Sequence, residues 1–188
     1  WLGSIVVSTN LMPWIITVHM LLALLIVAIS IYTFYVATTF RNKSILVNRD
    51  FKGLKIFAIF SLVLIVVQVV YGTEVREQID HVRATGVARS SWVDNLGTSY
   101  FIHRILAYCT LAITIFFFLM VKNRFSVLSL QSKYAWILLI LVFIQMLSGI
   151  ILARFDIPAA AQTTHLVAAS LFFGAQYYLM LLMTKLKR

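Results

Sequence analysis

Residues 160–184 read AAQTTHLVAASLFFGAQYYLMLLMT, a run without one Lys, Arg, Asp or Glu. As an α-helix it would rise about 37 Å, enough to cross the hydrocarbon layer of a bilayer. It holds one imidazole, His165, about two turns in from one end. Four further apolar runs of spanning length occur at 12–38, 54–73, 99–121 and 134–153. The chain has 188 residues, of which 62% are hydrophobic and 12% charged, and its mean hydropathy is +0.95. Such values exclude a water-soluble domain and describe a polytopic membrane protein. The expected fold is an all-α helical bundle with about five full transmembrane helices. A partial helix at residues 1–8 (WLGSIVVS) precedes them. No initiator Met or signal-peptide n-region stands before it, so the chain reads as part of a longer one whose remainder is N-terminal.

The net charge of +10 is distributed by side. Arg41, Lys43, Arg49, Lys52 and Lys55 fall in one set of connections, as do Lys122, Arg124, Lys133 and the tail Lys185, Lys187, Arg188. The 74–98 connection is mixed, with Glu74, Arg76, Glu77, Asp80, Arg83, Arg89 and Asp94, and it holds no lysine. This is the positive-inside pattern, and it places 39–53, 122–133 and the C-terminus on the cytoplasmic side. The charge therefore reports orientation and a bilayer partner, and no nucleic acid is expected. Trp14 and Trp92 fall near the outer interface and Trp136 near the inner one. Cys109, the single cysteine, lies within a span and can form no intrachain disulfide.

His19, His103 and His165 each lie about two turns inside a helix that starts on the outer side, so all three share one depth. Ionisable side chains in hydrocarbon face the bundle interior and have partners. Each also has alanine one turn deeper, Ala23, Ala107 and Ala169, on the same helix face. A small residue beside a ring leaves space for the edge of a flat macrocycle, and haem iron held between imidazoles is the leading candidate. The bland alternative is that alanine serves close helix packing. His103 and His165 form the natural pair, leaving His19 to a partner in preceding helices. His81 reads as a solvated loop residue. A zinc site is disfavoured, because no CxxC or HExxH spacing occurs. Arg76 and Arg104 stand where they could bind anionic propionates, or else extend to lipid headgroups.

The chain also echoes itself. Gly3 precedes His19, and Gly149 precedes His165, by the same sixteen residues; Thr17 aligns with Thr163 and Ala23 with Ala169. Gln68-Val-Val-Tyr-Gly72 and Gln145-Met-Leu-Ser-Gly149 form a weaker echo. Both units carrying the Gly–His register run in–out–in, as a parallel repeat does. The reading is then two parts. Residues 1–53 are the remainder of an N-terminal four-helix half, and residues 54–188 are a complete C-terminal four-helix haem-binding half.

Five segments, LGSIVVSTNLMPWIITVHMLLA (2–23), GTEVREQID (72–80), FIHRILA (101–107), QMLSG (145–149) and QTTHLVAASLFFG (162–174), resemble the haem A synthase family. These membrane enzymes convert haem O to haem A for cytochrome oxidase assembly. The resemblance implies eight helices in two pseudo-symmetric halves, of which this chain would hold the end of the third through the eighth. It implies that His103 and His165 ligate a b-type haem and that His19 is a candidate ligand of the substrate haem. It implies oxidation of a haem O methyl to a formyl, with haem O synthase and an electron donor as partners. The ligands preceding Trp1 would be absent, so this polypeptide alone could hold haem b without performing the reaction. The 74–98 connection lacks the cysteine pair that some members carry there.

Two other classes stand beside this one. A non-enzymatic cytochrome b subunit would pass electrons between bis-histidine haems, but that class stacks its pairs at two depths. A transporter with histidines in a proton path would fit the repeat and would show no visible absorbance. A bacterial plasma membrane is preferred to a mitochondrial inner membrane, because no transit peptide is visible.

Overall fold

The computed structural model describes Ser4 and residues 13–41 and 52–183. Five helices account for most of these: α1 (Pro13–Arg41), α2 (Lys52–Ala84), α3 (Thr98–Lys122), α4 (Leu130–Arg154) and α5 (Ala159–Leu182). Each is long and apolar enough to cross a membrane, and no strand occurs among the described residues. The protein is a multi-pass membrane protein of the all-α class. The partial helix expected at 1–8, Gly3 with its echo of Gly149, and the basic residues Lys43, Arg49, Lys185, Lys187 and Arg188 lie outside the described residues, Ser4 excepted.

Helices α2 to α5 pack as a closed ring in which each touches the next and α5 returns to α2. Helix α1 lies outside that ring, against α5 and α2. Its members show why they pack this way. Along α5 the side chains of Ala161 and, two turns on, Ala168 are buried, followed at alternating steps of four and three residues by Phe172, Ala175, Leu179 and Leu182. That stripe is the seam of a helical bundle. On α3, Thr110, Thr114, Phe117 and Val121 make the matching stripe. Outside the stripes, Ile56, Phe60, Phe101, Phe143, Leu147 and Leu171 are exposed, as lipid-facing positions must be.

The second span departs from expectation. Its apolar part ends near residue 73, and the 74–98 segment reads as a loop; in the structure α2 continues to Ala84. At 33 residues it would be about 50 Å long, so its last turns stand clear of a hydrocarbon layer of about 30 Å. Pairs one turn apart support the extension: Arg76 Nη2 lies 3.2 Å from Asp80 Oδ1, and His81 Nε2 lies 3.5 Å from Glu77 Oε1. His81 is thus an exposed helical residue and not a loop residue. Gly86, at φ 79°, then turns the chain out of the helix, with its N–H donating to the Arg83 carbonyl at 3.2 Å. Gln78 on the extension accepts from the N–H of Gly97 at 3.1 Å, which ties the start of α3 to α2.

Between α4 and α5, Asp156 (φ 53°) and Ile157 (φ 55°) both occupy the left-handed region, and for a β-branched residue this is strained. The turn is held from outside. Arg89 donates to both carbonyls, Nε to Asp156 and Nη2 to Ile157, each at 2.7 Å. Gln162 Nε2 donates to the same Ile157 carbonyl at 2.9 Å, and Gln162 Oε1 accepts from Arg76 Nη1 at 3.2 Å. One chain of polar contacts therefore joins the α2 extension, the following loop, the α4–α5 turn and the first turn of α5.

Candidate functional site

His103 and His165 lie on α3 and α5, helices diagonal to each other in the ring, and each continues its helix's buried stripe toward the same end of the bundle. Their ring centroids are 6.4 Å apart and the planes are inclined at 63°. Two metal–nitrogen bonds of about 2 Å each, with half a ring's width on either side, span about 6 Å. The pair can therefore hold one metal ion between its imidazoles. Among the described residues no three His, Cys, Asp or Glu side chains cluster. Two donors fall short of the four that close a structural zinc site.

The preceding helix of each hairpin fixes each ring. Gly72 on α2 faces His103: a Cβ placed on it would sit 3.4 Å from His103 Cε1. Gly149 on α4 faces His165 in the same way, at 3.5 Å from Cε1. Any side chain longer than a methyl would drive the ring away. One turn earlier, Gln68 Nε2 donates to the His103 carbonyl and Gln145 Nε2 to the His165 carbonyl, both at 3.0 Å. The Gln-to-Gly echo is thus a structural unit, used twice, that presents a histidine from the neighbouring helix. These two glutamines had shown up in the sequence only as a spacing. Their role as donors was missed, and the echo was the signal that could have given it.

The two settings differ at one position. Ser148, buried beside Gly149, places its Oγ 2.8 Å from His165 Nδ1 and also donates to the Gln145 carbonyl at 3.1 Å. The corresponding residue before Gly72 is Tyr71, and His103 Nδ1 is buried with no hydrogen-bond partner.

The remaining candidates are dispersed. Arg76 reaches across the mouth from α2 to Gln162 of α5, one turn before His165. Arg104 is exposed, its guanidinium lying 5.5 Å from the centre of the Tyr100 ring on the outer face of α3. His19 is half-buried on α1 and is not brought to the pair. Its helix packs inward through Leu24 and Tyr35, and Thr17 Oγ1 meets Thr73 Oγ1 at 2.7 Å on that same side. His19 lies one turn after the buried Ile15 and one turn before the exposed Ala23, and it forms no cluster with His103 and His165. Cys109 is free and exposed.

The fold and site define a multi-pass membrane helical bundle whose inner stripes end in two neighbouring imidazoles. The family model for the COX15-CtaA cytochrome oxidase assembly proteins matches residues 1–177, and the chain belongs to that family. No curated protein and no solved structure matches it. A role in cytochrome oxidase assembly follows from the family, within haem A biosynthesis.

Proposed function

We propose that the chain is the C-terminal part of a haem A synthase that oxidises a methyl group of haem O to the formyl of haem A. In this reading residues 54–188 form a half that holds haem b between His103 and His165. Residues 1–53 belong to a second half, in which His19 would bind the substrate haem. The observation that carries it is the 6.4 Å separation of two imidazoles on diagonal helices. The donor set suits the group: two imidazoles, a glycine against each ring, and alanine one turn deeper on each helix. His103 and His165 would hold a haem there, and it would supply one-electron transfer.

The chain's own residues then have distinct tasks. His103 and His165 bind, and Gly72 and Gly149 set how closely the rings approach. Gln68 and Gln145 hold the histidine-bearing turns. Arg76, charged and at the polar mouth, is placed to bind an anionic propionate. The place of His19 on α1, outside the ring of α2 to α5 and apart from the histidine pair, supports a separate site. An electron donor and a haem O synthase are the expected partners, and a bacterial plasma membrane the expected location.

The test is a dithionite-reduced minus oxidised visible spectrum of the purified chain in mild detergent, with iron quantified. One low-spin b-type haem per chain is expected. A folded chain without a visible band, also when joined to the N-terminal helices of a relative, would overturn the reading.

A further inference from the structure

Ser148 carries an inference that goes beyond this reading and rests on it. The serine is buried, and its Oγ stands at hydrogen-bond distance from two groups at once: the Gln145 carbonyl at 3.1 Å and His165 Nδ1 at 2.8 Å. A hydroxyl has a single proton to give. A carbonyl can only accept, so that bond requires the serine proton. The bond to His165 then requires a proton on Nδ1, donated to the serine oxygen. Were the serine proton turned to the imidazole instead, the Gln145 contact would be lost and one bond would replace two. In a buried setting the arrangement with two bonds is favoured.

We propose that Ser148 is a positioning residue that holds His165 as its Nδ1-protonated tautomer, leaving the Nε2 lone pair as the metal-binding atom. His103 has no such partner, since Tyr71 stands where Ser148 would be and its Nδ1 is buried without a hydrogen bond. The two imidazoles are thus unequal. A ligating imidazole whose other N–H is hydrogen-bonded is oriented more firmly and donates more strongly to its metal. His165 would be the stronger ligand of the pair, and it would favour the oxidised state of an iron held there.

The symmetry of the hairpins supplies the variants. Ser148→Ala leaves His165 in the state His103 already tolerates within the same fold, and Ser148→Thr keeps a hydroxyl. Tyr71→Ser copies the serine beside Gly72, whose approach to His103 matches that of Gly149 to His165 to within 0.1 Å at both atoms.

The first readout needs no haem. In the full chain, labelled with 15N at histidine and kept in detergent, the His165 signals should show a protonated Nδ1 and an unprotonated Nε2. Ser148→Ala should give a mixture of tautomers, Ser148→Thr should restore the single form, and Tyr71→Ser should bring His103 into it. On the haem-loaded chain, Ser148→Ala should weaken retention about tenfold and raise the reduction potential, with Ser148→Thr reversing both. A protonated Nε2 at His165 in the unaltered chain, or a tautomer that ignores Ser148→Ala, overturns the proposal. If the tautomers behave as stated but the chain takes up no haem, the function reading fails and the ligand role with it. If haem binds normally while the tautomers do not respond, the function reading stands and the serine's role falls.

Discussion

The hairpins α2–α3 and α4–α5 place their histidines by the same device, yet give them different surroundings. In each, a glutamine bonds the histidine's own carbonyl at 3.0 Å and a glycine one turn later lets the ring lie against the neighbouring backbone. Backbone approach and helix register are thus shared, and they determine where the rings are. The residue before the glycine is not shared, and it determines what the ring nitrogens can do: Ser148 bonds Nδ1 of His165, while His103 Nδ1 has nothing. Position is a property of the repeat, and chemistry is a property of single side chains.

The comparison can be broken most directly at the rings. His103→Ala and His165→Ala should each abolish bound haem, measured as the pyridine haemochrome per chain, whereas His19→Ala should leave it nearly intact. Equal retention in all three would remove the pairing. Next come the glycines. Gly72→Leu and Gly149→Leu, which force a side chain into a space that ends 3.4 to 3.5 Å from a ring carbon, should eliminate most haem. Gly→Ala at either place should retain much of it, and a difference between the two glycines would show that the hairpins are not equivalent.

Smaller effects sharpen the parallel. Gln68→Ala and Gln145→Ala each remove one interhelical hydrogen bond, worth about 0.6 kcal/mol between membrane helices. Thermal unfolding in detergent should therefore report similar, modest losses. At the mouth, Arg76→Ala should reduce haem retention more than Arg104→Ala, because Arg76 bridges to α5 while Arg104 lies over Tyr100 on the exposed face. The reverse order would move the propionate contact to Arg104. Arg89→Ala should leave haem content unchanged and speed hydrogen exchange at residues 155–158, whose strained turn it holds.

Much of this was legible in the sequence because hydrocarbon is an unforgiving solvent. Each run long and apolar enough to span must be helical, and an imidazole inside one must face a partner. That logic gave the five spans and the neighbouring of His103 and His165. It failed for residues 74–84, where hydropathy ends but the helix does not: Arg76–Asp80 and His81–Glu77 sustain it in water. It also missed Arg89 and Gln162, whose partners are backbone carbonyls of a distant turn and carry no sequence signal.

One-dimensional pattern and the cost of burying polar groups were enough for the class of protein, the place of each histidine about two turns inside its helix, and the Gln-to-Gly spacing. Which atoms meet follows from helix packing. Helix packing brings the His103 and His165 rings to 6.4 Å from each other and leaves His19 out of the pair. The approach of α4 to α5 sets Ser148 on His165 Nδ1, and the α2–α3 hairpin gives His103 Nδ1 no such hydroxyl. Those choices depend on side chains packed from different helices, and spacing along one chain does not encode them.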